Sequence, residues 1–182
     1  LYEFVFIDTE GNVSCPTAEM RKELLSAHVF KRWLSCGTLQ AVTNYSLVCI
    51  TSESVYAPVI LPFLTQYTRL ACFALVQRAS LIKFQADAAL LSAHIKNPKK
   101  KISIQNIIAL NKLQERFVAF QSQLDLFEVT AQEQGCELYG MLREFLFVGK
   151  QREALQNQLD ALNSASNTTF DTDINKWAAI TA

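Results

Sequence analysis

The feature that most constrains this chain is a heptad seam. Stepping alternately three and four residues from Leu110 picks out Leu113, Phe117, Phe120, Leu124, Phe127, Ala131, Gln134, Leu138, Met141, Phe145, Val148, Arg152, Leu155, Leu159, Leu162 and Ser166. Apolar residues recurring every 3.5 positions are the a and d positions of a helix packed lengthwise on another helix. Only Gln134 and Arg152 interrupt the seam from inside. Read as one helix, residues 110–166 would extend on the order of 85 Å, at about 1.5 Å per residue, far beyond the diameter of a domain of this size. Such a helix is expected to project as a stalk, and a strict 3.5 period implies left-handed supercoiling against a partner. The partner is either a second helix of the same chain or a copy of the first. A second helix is expected over 62–97, but it is roughly half as long, so self-association is the stronger inference.

That second helix rests on Phe63, Tyr67, Leu70, Ala74, Leu81, Phe84, Ala88 and Leu91 at three-and-four spacing, with Asn97-Pro98 as its stop and Lys99 to Lys101 as a solvated connection. Upstream, the aromatic and β-branched run over 2–7 predicts a buried strand ended by turn chemistry at Asp8 to Asn12. Thr17 is the expected cap of a helix with Glu19 in its first turn and Gly37 just past its end. A second strand is expected over 45–51. The chain therefore reads as α+β and predominantly α. A small α/β portion over 1–61, two or more strands plus a helix, precedes two long helices over 62–182, the second being the projecting stalk with the heptad seam.

Composition narrows the functional classes. Seventeen basic residues balance 17 acidic ones, so there is no basic excess to drive nucleic-acid binding. Half of the residues are hydrophobic and 19% are charged, which excludes a disordered chain. Five glycines are too few for a glycine-rich nucleotide cradle. The five cysteines are scattered, and His28 and His94 lie far apart, so no zinc spacing occurs and reduced thiols are expected. The longest uncharged runs, 34–52 and 54–68, are broken by Gly37, Gln40, Asn44, Pro58 and Pro62, so no run is expected to reach the roughly 20 apolar residues of a membrane span. The chain reads as soluble. Its ends, apolar at Leu1 and again from Trp177 to Ala182, read as the cut ends of a fragment.

Few residues invite chemistry. Glu133 and Glu137 lie one helical turn apart and are weak candidates for a hard divalent cation; two solvated carboxylates beside a helix seam are the commoner arrangement. Gln134 at a d position fits a register-fixing role, and Gly135, Gly140 and Gly149 fit a loosened helix or close helix approach. No nucleophile elbow, HExxH or Ser/His/Asp grouping is present. A thiol nucleophile at Cys36 or Cys136 would need His28 or His94 folded beside it. An enzyme is not expected, and no cofactor is required.

Three internal segments and the tail carry a resemblance. Residues 28–39 (His-Val-Phe-Lys-Arg-Trp-Leu-Ser-Cys-Gly-Thr-Leu), 75–81 (Leu-Val-Gln-Arg-Ala-Ser-Leu) and 128–139 (Glu-Val-Thr-Ala-Gln-Glu-Gln-Gly-Cys-Glu-Leu-Tyr) resemble recurring segments of bacterial membrane proteins distantly similar to the CorA family of magnesium transporters. Residues 173–182 resemble the point where that family's stalk helix enters the membrane. The family's Gly-Met-Asn pore signature is absent from the 182 residues. The resemblance implies a cytosolic regulatory and assembly domain at the inner membrane, a homo-oligomer that is a pentamer in the family, a membrane attachment beyond the C-terminal segment, and Mg2+ or another divalent cation as the transported or regulatory ion. It places no regulatory carboxylate on a numbered residue. The alternative, from a different class, is a soluble coiled-coil scaffold that docks a partner protein.

Overall fold

The computed structural model describes residues 1–8, 15–53, 56–95, 104–126 and 128–181, with Tyr56 and 169–181 described by their backbone. The fold is mostly helical with one small antiparallel sheet. In order, the elements are α1 (Tyr2–Phe6), α2 (Ala18–His28), β1 (Val29–Phe30), a 3₁₀ turn (Leu34–Cys36), β2 (Thr38–Val42), β3 (Leu47–Thr51) and α3 (Tyr56–Pro62). A π-helical turn (Phe63–Tyr67) then leads into α4 (Thr68–Ile95), α5 (Ile104–Gln123), α6 (Glu133–Phe145) and α7 (Val148–Thr181). The expected turn over 9–12, the stop at Asn97-Pro98, the lysine connection and the seam residue Phe127 lie outside the described residues.

Contacts divide the chain into two compact units. One unit is 1–76 with 127–148; the other is 77–126 with 149–182. The first holds the sheet, in the order β1-β2-β3, with Val29 opposite Ala41 and Gln40 opposite Cys49. Its core is Val5, Ala41 and Val48, flanked by Phe6, Leu25, Val29 and Leu39.

The expected strand over 2–7 is instead the helix α1. In a helix Tyr2 and Phe6 fall on one face and stack at 4.6 Å, while Val5 turns inward and is fully buried. The hairpin supplies what the helix end needs: Ser46 Oγ donates to the Val5 carbonyl at 2.6 Å and Tyr45 Oη to the Phe6 carbonyl at 3.0 Å. Ile7 adopts a left-handed conformation, φ 52°, and closes the turn. Strand propensity in so short a run is a weak preference, and tertiary hydrogen bonds override it.

Thr17 does precede α2, but the helix ends at His28 rather than near Gly37. Val29 turns extended and pairs with β2, a strand the sequence reading passed over. Gly37, at φ 74°, ends the 3₁₀ turn instead. The positive φ favours glycine there, and a Cβ would also press on the Ser52 hydroxyl at 2.9 Å, which could rotate away.

The seam helix is corrected most. It is three helices, the first ending at Gln123, the second running from Glu133 to Phe145 and the third starting at Val148, with Phe147 before it at φ 57°. Leu110, Leu113, Phe117 and Phe120 on α5 are buried, and so are Val148, Leu155, Leu159, Leu162 and Ser166 on α7; Leu124 is half-buried. In α6 the register slips. Leu138 is buried as expected, but Tyr139, Leu142 and Leu146 join it, while Met141, Phe145 and Gln134 are half-buried and Ala131 is exposed. Thus most of the stripe is buried within one chain, and the argument for self-association from an uncovered stripe loses its ground. A heptad period is met equally well by separate helices packing against their own chain. Gly135 is a point of close approach, where a Cβ would meet Thr130 Cγ2 at 2.7 Å; Gly140 and Gly149 face open space.

The second unit is entirely helical. Phe84 of α4 meets Phe117 and Phe120 of α5 edge to face, both at 5.7 Å, and Leu81 and Ala88 are fully buried. Gln77, also fully buried, donates from its amide to the Leu124 carbonyl at the end of α5.

One helical run stands out for its length and apolar content, though Arg69, Arg78, Lys83 and Asp87 interrupt it. Ala57–Ile95, 39 residues, is long and apolar enough to cross a bilayer, with a window of mean hydropathy 1.5 of which 17% is buried. Pro58 and Pro62 do not stop the helical run: Pro58 lies in the first turn of α3, and Pro62 is followed directly by the π turn.

Candidate functional site

The residues with a chemical role gather in the sheet-containing unit. Arg32, just after β1, reaches the first two turns of α6. Its Nη2 lies 2.6 Å from Glu133 Oε2 and its Nη1 2.8 Å from Glu137 Oε1. A planar fork suits two carboxylates one helical turn apart, and Glu133 also sits in the first turn of α6, where the helix dipole favours a negative charge. The hydrogen bonds to Glu133 and then Glu137 hold the guanidinium above its already high ordinary value, so it is charged at every working pH.

This arrangement bears on the two carboxylates proposed as weak cation ligands. A guanidinium occupies both, and among the described residues no group of three or more metal-ligating side chains forms. The pair is better described as an anchor between the β1 end of the sheet and α6. Arg32 and Glu133 are 101 positions apart in sequence.

Beside the anchor lies a cavity of about 380 Å³, lined by Trp33, Cys36, Thr38, Gln40, Pro58, Val59, Pro62, Gln66, Tyr67, Gln132 and Gln134. Thr38, Gln40 and Tyr67 form its buried floor; Trp33, Cys36, Pro58, Gln66 and Gln132 are exposed at its rim. Local sequence explains the wall. The π turn shifts the helical register after Pro62 and puts Gln66 and Tyr67 on the same cavity as Pro58 and Pro62. Gly37 redirects the chain so that Trp33 and Cys36 precede β2, whose alternate residues Thr38 and Gln40 face the cavity.

The polar groups are mostly spoken for. Thr38 Oγ1 bonds Thr51 Oγ1 at 2.8 Å. Burial pushes the Tyr67 hydroxyl up, opposed by its hydrogen bond with Gln134 and by the positive charge of Arg32. Burial likewise pushes up the Cys49 thiol, which the Gln40 side chain hydrogen-bonds. One group is left over: the buried Gln40 Oε1 has no partner. None of the lining residues is charged.

Comparison with known protein families, curated proteins and solved structures finds no match.

Neither Cys36 nor Cys136 is joined to a histidine. Cys136 donates its thiol to the Thr130 carbonyl, and His28 holds the Val42 carbonyl at 2.6 Å through Nδ1 while stacking on Phe145 at 4.0 Å. The cavity is not legible from sequence because its residues come from three separate stretches, 33–40, 58–67 and 132–134. One signal was available. Gln40, Pro58 and Pro62 stand as isolated interruptions in long uncharged runs, and each lines the cavity.

Proposed function

We propose that this chain is the cytosolic regulatory and assembly domain of a CorA-like divalent-cation transporter of the bacterial inner membrane. The observation that supports it best is the joining of segments 28–39 and 128–139 through Arg32, Glu133 and Glu137: two stretches that carry the resemblance act as one structural unit. In this reading rearrangement of the sheet-containing unit passes through the anchor to α6 and on to α7. That helix, 34 residues and about 50 Å long, acts as the rigid lever toward the pore. The lever is α7 alone rather than the whole span 110–166. Subunits assemble as a homo-oligomer, a pentamer by the resemblance. The exposed Leu61, Leu64, Leu75, Val76, Ile82 and Leu90 of the α3–α4 run supply apolar surface that assembly would bury. The transported or regulatory ion is Mg2+ or another divalent cation.

The test is Mg2+ flux into liposomes by the full-length protein, together with its mass in detergent. An oligomer that passes Mg2+ is expected. A monomer without flux overturns the reading, and an oligomer without flux favours the scaffold that docks a partner on the same apolar surface.

A further inference from the structure

The sheet has one long edge that its own chain leaves unpaired. β1 and β3 flank β2, and β1 is only two residues long, so the outer side of β3 is the larger edge. The phase of the ladder fixes what that edge presents. Thr43 N–H donates to the Ser46 carbonyl and Ser52 N–H to the Gly37 carbonyl, so in the same register Ala41 with Val48 and Leu39 with Ile50 exchange the backbone hydrogen bonds. The side chains agree: Thr38 reaches Thr51 and Gln40 reaches Cys49, as residues of the closer, non-hydrogen-bonded pairs do. The N–H and C=O groups of Leu47, Cys49 and Thr51 therefore point away from β2, and among the described residues they meet no partner.

Edge strands in native folds are normally guarded by charge, proline or a bulge. Leu47 to Ser52 has neither charge nor proline, and its register with β2 is continuous. Ile50, on the face of the sheet that carries Val48 and the Val5 core, is 42% exposed.

We infer that β3 pairs with β3 of a second copy of this chain, antiparallel about a two-fold axis at Cys49. A row of unpaired backbone donors and acceptors calls for an extended strand, and this strand fits itself. About that axis Val48 faces Ile50 of the second copy and Leu47 faces Thr51, so apolar and β-branched side chains meet across the seam. Glu53, the nearest charge, falls opposite Tyr45, so no like charges meet. The inference stands apart from the transport reading, since a two-fold pair requires neither a five-fold ring nor flux and is measured on the 182-residue chain.

Sedimentation velocity should show a monomer passing to a dimer as concentration rises. In the dilute chain amide exchange should alternate along β3, slow at Val48 and Ile50 and fast at Leu47, Cys49 and Thr51; in the concentrated chain those three should slow as well. Ile50→Lys keeps every ladder bond, so the alternating pattern reports that the variant is folded, and a lysine in the seam of each copy should weaken the dimer roughly tenfold or more. A chain still monomeric near about 1 mM would overturn the inference and leave the edge to an extended segment of another protein. Slow exchange of the three outward amides in the monomer, a dimer in which they stay fast, or a dimer that Ile50→Lys leaves unchanged would each overturn it too.

Discussion

Each compact unit buries a glutamine, and the two are used in opposite ways. In the helical unit Gln77 lies fully buried and ties α4 to the Leu124 carbonyl just past the end of α5. In the sheet-containing unit Gln40 is nearly as buried, but its side chain engages only Cys49 and its oxygen has no partner. The first is a structural clamp closed within the chain. The second leaves hydrogen-bonding capacity unused, at a cost in stability that folding by itself does not require. The difference belongs to these two side chains rather than to the units as wholes, since the helical unit also holds unpartnered buried atoms at Gln151 Oε1 and Arg152 Nε.

The comparison breaks most readily at Phe117. Phe117→Ala empties the centre of the aromatic cluster and should cost about 3–5 kcal/mol in urea denaturation; a loss below about 1 kcal/mol would mean the helical unit is not close-packed. Next is Gln77→Leu, which strands the Leu124 carbonyl and should destabilise by about 1–3 kcal/mol. The matching change in the other unit has the opposite sign. Gln40→Leu should stabilise the chain by about 0.5–1 kcal/mol, because it removes an unpaired buried oxygen; destabilisation of the size seen at Gln77 would make the two glutamines equivalent.

Two smaller effects sharpen the contrast. Burial raises the Cys49 thiol above its ordinary 9.0, so the folded state holds its proton longer than the unfolded chain does. The stability this contributes is complete below pH 9.0 and is lost as pH rises through the folded value, and Tyr67 adds a second decline beginning above 10.0. Cys49→Ala should therefore flatten the first part of the alkaline limb in a denaturation series, and an unchanged limb would contradict it. Smallest is Arg32→Ala. Its partners are solvent-exposed, so the denaturation midpoint should stay nearly unchanged. Amide exchange in the first turn of α6 should nonetheless quicken if the anchor holds that helix.

Legibility from sequence followed the range of the forces involved. The burial of Leu113 and Phe117 on α5, and of Leu155 and Leu159 on α7, could be read from spacing, because helical period places such residues on one face whatever they touch. The breaks around Gln132 and Phe147 could not. There the choice between continuing and stopping rests on distant partners, including the ion pair of Asp125 with Arg152 at 3.4 Å. The slip in α6 has the same origin: Tyr139 is buried by stacking on Phe73 of α4, and the core follows that contact rather than the heptad. At the site, the pairing of Glu133 and Glu137 on one face was legible and the guanidinium between them was not.

By itself, then, the amino-acid sequence determined the helical majority and the apolar faces of α4, α5 and α7, all consequences of local period. Tertiary structure alone decided that residues 2–6 coil rather than extend, that one heptad stripe is buried by three helices of its own chain, and that Arg32 meets α6 beside a cavity with one unmatched oxygen. Those outcomes depend on hydrogen bonds and contacts between residues far apart in the chain, which no periodicity records.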